Sequence, residues 1–108
     1  MNEEQRDILN YLNTNAVGYE NRKTSTQIRE ELNLESGGVT NEHVRDLIRD
    51  LIFSHHACIG SLMWENGYWI IQTEDELDKV CESLENRANS IKERAEALRN
   101  NWKNQNND

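Results

Sequence analysis

Proline is absent from this chain, and cations are outnumbered by acids. Without proline, nothing resembles a stiff spacer between domains. No run of 18 apolar residues occurs and no basic segment leads into an apolar one, so neither a membrane span nor a secretory leader is expected. Cysteine is limited to Cys58 and Cys81. In a chain with no leader, two such thiols read as reduced cysteines of a cytoplasmic protein, on segments whose other residues look half buried. No glycine-rich phosphate loop, no Ser/His/Asp or Cys/His arrangement at familiar spacing and no embedded carboxylate pair stands out. An enzyme is therefore not expected, and no cofactor is implied. His55, His56 and Cys58 form the only ligand-like cluster. A structural zinc needs four ligands, and the fourth would have to come from distant Cys81 or an acid, so no metal site is expected. There is no repeat and no low-complexity run.

What is present is charge. The 108 residues carry 12 Lys and Arg against 20 Asp and Glu, a formal net charge of −8, with a pI near 4.8. That length fits one domain, or one small domain with a tail. With 30% charged and 35% apolar residues, the core must be modest. The acidic excess repels nucleic acid and anionic membranes at long range, although local patches matter more than totals.

Apolar periodicity then divides the chain. From Asn2 to about Asn13, Ile8, Leu9 and Leu12 make one helical stripe with Tyr11 beside it, and Asn2 with Gln5 can cap its start. Residues 14–23 are turn-rich and contain Gly18; no strand is assigned to them. A second helix begins at Thr24, where Thr24 and Gln27 fit a capping box; Ile28 and Leu32 are its apolar residues, and Leu34 closes the turn. Ser36-Gly37-Gly38 offers the positive φ of a sharp bend. The third helix starts near Thr40 or Asn41, either of which can cap it, and runs to His55 and His56. Its inward stripe is Val44, Leu47, Ile48, Leu51 and Ile52. Outward lie Asn41, Glu42, Arg45, Asp46, Arg49 and Asp50.

Two strands, 57–63 and 68–72, follow around Asn66-Gly67, a strong signal for a two-residue hairpin turn. Such a turn pairs Trp64 with Trp69 and Met63 with Ile70; Trp64 either packs across the strands or reaches a partner from the tip. Thr73 and Glu76 form a third capping box, and its acidic first turn suits the helix dipole. From there one helix runs to about Lys103. Leu77, Cys81, Leu84, Ala88, Ile91, Ala95, Leu98 and Trp102 recur at alternating four- and three-residue steps, with Leu or Ile at every d position and mostly small residues at a. A helix of some 30 residues is about 45 Å long, more than so small a domain covers. The stripe is expected to form a homodimer, the other possibilities being folding back or binding another protein. Residues 105–108 read as a solvated, disordered tail. The fold class is thus mainly α with a small β-hairpin.

Residues 24–55 read helix, glycine-containing turn, helix, and the hairpin and long helix come after. In that order the chain resembles the winged helix–turn–helix family, and more narrowly its small stand-alone members in bacteriophages and prophages. The matching residues are Val44-Arg45-Asp46-Leu47-Ile48-Arg49, then Ile59-Gly60-Ser61 and Gly67-Tyr68-Trp69, then Glu74-Asp75-Glu76-Leu77 with Arg87, Ile91 and Arg94. They span roughly residues 1–100. The resemblance implies a winged domain over 1–72, a dimerisation helix over 73–104, and DNA binding in transcriptional or replication control, in a bacterial or phage-infected cytoplasm.

By position it implies that Asn41, Arg45 and Arg49 face a major groove, where arginine suits guanine and asparagine suits adenine. Thr24, Ser25 and Thr26, with Arg22 and Lys23, would contact phosphate, and Asn66 at the wing tip would approach the minor groove or backbone. Against this, Arg22, Lys23, Arg29, Arg45 and Arg49 are matched by Glu30, Glu31, Glu35, Glu42 and Asp46, so the expected DNA face is neutral. Glu42 three residues before Arg45, and Asp46 three before Arg49, are spaced to pair on the helix surface. Bulk DNA should therefore be bound weakly and specific DNA through a dimer. The alternative is an acidic winged-helix module that binds or inhibits a host protein.

Overall fold

The computed structural model of the protein describes residues 1–62 and 67–106. The chain is mainly helical, with one small antiparallel sheet and a long C-terminal helix. In order it forms α1 (Glu3–Asn15), a short 3-10 turn (Tyr19–Asn21), α2 (Ser25–Leu32), α3 (Glu42–His55), β1 (Ile59–Gly60), β2 (Trp69–Ile70) and α4 (Glu74–Asn106).

The helix starts follow local chemistry. At α1 the Asn2 side chain accepts from the Gln5 backbone N–H at 2.8 Å, and the Gln5 side chain accepts from the Asn2 N–H at 3.0 Å. Thr24 and Gln27 make the same reciprocal box at α2, at 3.0 and 2.8 Å. These boxes satisfy backbone donors that a helix start otherwise orphans. At α4 only half of the expected box forms. Thr73 Oγ1 accepts from the Glu76 N–H, but the Glu76 carboxylate turns back to the Gln72 N–H.

The stripes of α1, α2 and α3 meet in one core. Ile8, Leu12, Ala16, Ile28, Val44, Leu47, Ile48, Leu51 and Ile59 are its buried members. Ile52, expected on the inward stripe, is 39% exposed. At about 100° per residue it lies roughly 90° from the line of Val44 and Leu51, past the edge of the stripe. Gln5 supplies a polar seam: it is buried, and its Nε2 donates to the Leu47 carbonyl at 3.2 Å and to Asp50 Oδ2 at 2.8 Å, tying α1 to α3.

The connection 33–41 between α2 and α3 is held by left-handed residues: Asn33 ends α2 at φ 54°, Gly37 turns at φ 69°, and Asn41 precedes α3 at φ 58°. Asparagine and glycine are the residues that tolerate this region. Asn41 stands at the N-cap position expected for it, immediately before the first helical residue Glu42, but it makes no capping bond with its side chain.

The sheet corrects the expected hairpin. Its strands are two residues each, not 57–63 and 68–72, and Ile59 stands opposite Ile70 and Gly60 opposite Trp69. Ile70 and Trp69 thus pair with Ile59 and Gly60 rather than with Met63 and Trp64; the expected turn at Asn66-Gly67, with Met63, Trp64 and Asn66, lies outside the described residues. Two contacts fix this register. A Cβ on Gly60 would lie 2.8 Å from the indole of Trp69, so only glycine fits across from that ring. On the other edge of β2, Tyr68 exchanges both backbone hydrogen bonds with Lys23 at 2.7 and 2.9 Å, and Ile70 bonds to Ala16 and Gly18. The turn-rich linker, in which the sequence marks no strand, thus supplies a third, irregular edge of the sheet.

Residue Val80 of α4 is buried, and a Cβ on Gly60 would come within 3.2 Å of it. Beyond that seam the helix leaves the body and does not fold back. Leu84, Ile91 and Leu98 are 55%, 57% and 62% exposed. The radius of gyration is 17.7 Å, against about 13 Å for a compact chain of this length. The helix continues to Asn106, beyond the expected end at Lys103, so it takes in part of the tail expected at 105–108. Cys58 and Cys81 are free and exposed.

Candidate functional site

An open cleft lies where α2, α3, the sheet end and α4 converge. Its lining includes Ser25 and Thr26 from the start of α2, and Thr40, Asn41 and Arg45 from the start of α3. Ser61, Leu62, Gly67 and Tyr68 come from the strand ends, and Ser83, Leu84 and Arg87 from α4. Five of the predicted contact residues bear on this region. Ser25, Thr26, Asn41 and Arg45 line it directly, and Lys23 is bonded through its backbone to Tyr68 on the rim.

Asn41 is the organiser of this cleft. Its Nδ2 donates to Ser25 Oγ at 3.1 Å and to Thr26 Oγ1 at 3.0 Å, and its Oδ1 accepts from Arg29 Nε at 2.9 Å. The left-handed backbone at Asn41 aims the side chain back at α2 instead of along α3. Its amide is spent on these three bonds, so it acts as a tie between helices rather than as a free reader of bases. The hydroxyls of Ser25 and Thr26 accept from Asn41, which leaves each O–H hydrogen to donate outward. Thr24 is in the same position: its oxygen accepts from the Gln27 N–H.

The expected ion pairs along α3 do not form. The Glu42 carboxylate receives Thr40 Oγ1 at 2.6 Å and the Thr40 N–H at 3.2 Å. That Thr40 hydroxyl, ahead of the helix backbone, holds the Glu42 carboxyl below its ordinary value. Among the described residues no ion pair joins Glu42 to Arg45 or Asp46 to Arg49; the pairs present are Arg29–Glu30, His43–Glu4 and His55–Asp50. Arg45 is left exposed at the cleft. Arg49 instead lies over the ring of Phe53, 5.4 Å from its centroid, in a separate hollow with Asp46 and Asp50. Arg22 stacks on Tyr19 at 4.3 Å and donates to its carbonyl at 3.2 Å. Two of the predicted DNA contacts, Arg22 and Arg49, are thus already engaged by aromatic neighbours. Asn66 falls outside the described residues.

Arg87 and Ser83 join the site from α4, and neither was among the predicted contacts. Both lie beside the apolar stripe, one residue before and three after Leu84, a signal that points to a flank of the helix but not to what lies across from it. With Arg45 and Arg87 present, the cleft has two arginines and, among the described residues, no carboxylate in its lining. In a chain of net charge −8, cations thus predominate in this lining, with the Glu42 carboxylate held just outside it by Thr40 and near enough to Arg45 to feel its charge.

No group of three or more His, Cys, Asp or Glu side chains is placed to hold a metal ion among the described residues. Nor is any helix among them long and apolar enough to cross a membrane. No family model, no curated protein and no solved structure matches the chain.

Proposed function

We propose that this chain is a winged helix–turn–helix protein that binds specific DNA as a dimer, in transcriptional or replication control of the phage type. The observation that carries the reading is the cleft of Arg45 and Arg87, edged by the outward hydroxyls of Ser25 and Thr26 and lined by no described acid. Two guanidinium groups beside a helix start suit a phosphate or a guanine edge. In this reading α3 is the recognition helix, with Arg45 its principal base contact. Asn41 holds α2 and α3 at their docking angle. The other contacts are hydroxyl and backbone donors, which position rather than specify. With few cations per copy, affinity should vary little with salt for a DNA-binding protein.

The test is a fluorescence-anisotropy titration at low salt against DNA from upstream of its own coding sequence. Arg45→Ala should weaken binding by about 10-fold to 100-fold, the scale of one bidentate base contact. Arg49→Ala, whose side chain already stacks on Phe53, should change it far less. No binding, or binding indifferent to Arg45→Ala, overturns the reading.

A second reading has its own support. At the far end of α3, Ile52 and Phe53 are 39% and 73% exposed, and the whole chain is acidic. Such an apolar patch on an anionic surface suits a protein partner, such as a host factor that is inhibited or redirected. Replacing Phe53 by Ser separates the two, since it should spare DNA binding and abolish capture of such a partner.

A further inference from the structure

We infer that α4 pairs with the α4 of a second copy of this chain, antiparallel and in one register. The inference deepens the dimer part of the proposed function and rests on reading α4 as a self-association helix.

The apolar stripe has two kinds of position. Leu77, Leu84, Ile91 and Leu98 recur every seven residues, and between them stand Cys81, Ala88, Ala95 and Trp102. In a parallel pair each position meets its own copy, so Ala88 faces alanine and Ala95 faces alanine, and both layers are underfilled. Turned antiparallel, the two sets face each other. Cys81 then packs on the partner's Leu98, Leu84 on the partner's Ala95, and Ala88 on the partner's Ile91. Each inner layer joins a large side chain to a small one.

Charge selects the same orientation. One flank of the stripe carries Asp78, Glu85, Lys92 and Arg99, acids first and bases second; the other carries Val80, Arg87, Arg94 and Asn101. A parallel pair sets one flank against the other, and so puts Arg87 beside the partner's Lys92 and Arg94 beside the partner's Arg99. These are like charges. The antiparallel pair sets each flank against itself. Asp78 then meets the partner's Arg99 and Glu85 meets the partner's Lys92, and the two-fold axis repeats both pairs.

The second flank brings Arg87 opposite the partner's Arg94. This is the one repulsive contact of the arrangement, and it gathers four arginines on one face of the rod. Arg87 also lines the cleft of Arg45, so that face runs from one cleft to the other. The buried Val80 seams of the two copies would lie roughly nineteen helical residues apart, about 28 Å at about 1.5 Å per residue. That is close to the separation of about 34 Å between successive major grooves on one side of a duplex. A two-fold axis perpendicular to the rod turns both clefts to the same side.

The thiol at position 81 tests the geometry directly. In the antiparallel register the two Cys81 residues are about 25 Å apart along the rod, far beyond disulfide reach. The full chain carrying Cys58→Ser is sedimented to establish a dimer and then mildly oxidised; it should give no covalent dimer. Adding Leu98→Cys should give one, with the bond mapped by mass spectrometry between Cys81 and the thiol introduced at 98. Lys92→Glu, without added thiols, supplies an independent sign. It should raise the dimer dissociation constant severalfold, because it meets the partner's Glu85, whereas in a parallel pair it would meet the partner's Arg87 and lower it.

A Cys81–Cys81 disulfide in the Cys58→Ser chain, or a dimer tightened by Lys92→Glu, shows a parallel pair and overturns the orientation while the dimer stands. A dimer that Leu98→Cys fails to cross-link overturns the register. A monomer with normal helix content by circular dichroism overturns self-association itself.

Discussion

The N-terminal body and α4 are built by the same rule and end in opposite states. In both, apolar residues recur at helical spacing. In the body the stripes of α1, α2 and α3 face one another, and Ile8, Leu12, Ile28, Ile48 and Leu51 are almost wholly shielded from water. In α4 the residue buried against the body is Val80, on the flank of the stripe, and the Leu and Ile residues of the stripe itself are 40–62% exposed. Periodicity therefore says that a helix has an apolar face, and not whether the same chain covers it. The body covers its own apolar stripes, whereas α4 leaves most of its stripe to solvent.

The largest expected effect separates the two regions. Leu51→Ala empties a fully buried position, and it should cost about 2–5 kcal/mol in denaturant unfolding at any protein concentration. Ile91→Ala removes a comparable side chain from the exposed stripe, and it should change unfolding of the dilute protein by less than about 0.5 kcal/mol. Equal losses from the two substitutions would erase the contrast. Next comes the seam itself. Gly60→Ala places a methyl group 2.8 Å from Trp69 and 3.2 Å from Val80, and it should cost about 1–3 kcal/mol by overpacking. Because it pushes on the junction, it should also raise hydrogen exchange in the first turns of α4, which Leu51→Ala at low denaturant should not.

Gln5→Ala probes the polar seam inside the body. It removes the bonds to the Leu47 carbonyl and Asp50 and half of the α1 capping box. A loss of about 1–2 kcal/mol is expected, read as a shift in the unfolding midpoint with an unchanged slope.

Much of this was legible in the sequence where the cause is local. The two reciprocal capping boxes, the left-handed glycine at 37 and the inward positions Val44, Leu47, Ile48 and Leu51 each depend on residues a few places apart. What was not legible depends on partners far along the chain. The register of Trp69 is set by the missing side chain at Gly60 and by Lys23, so the Asn66-Gly67 pattern, strong as a local signal, chose the wrong pairing. Asn41 read as a helix cap or a base contact because both use the same amide; only the approach of Ser25, Thr26 and Arg29 shows it tying α2 to α3. Gln5 falls four residues before the Leu9 turn and in line with Ile8 and Leu12, yet a glutamine on a stripe does not announce a buried bond to Asp50. Arg87 reaches the cleft only because α4 leaves the body over it.

The smallest effect is one of pH, and it again belongs to the body. Asp50 accepts from Gln5 Nε2 at 2.8 Å and from Ser54 Oγ at 2.8 Å, and His55 Nε2 lies 3.4 Å away. The hydrogen bond from Gln5, then that from Ser54, hold its carboxyl below the ordinary value of 3.8. A carboxylate depressed on folding binds its proton more readily in the unfolded chain. Its stabilising share is therefore complete above the ordinary value and is lost as pH falls through the folded one. Unfolding midpoints measured from neutral pH into that acid range should fall for the native chain, and the part due to Asp50 should vanish in Asp50→Asn. The same part should shrink in Gln5→Ala, because the hydrogen bond that Gln5 donates to the Asp50 carboxylate has gone. If the acid loss is identical in all three chains, Asp50 is not coupled to the α1–α3 seam, and the body's charge network is as loosely held as the surface of α4.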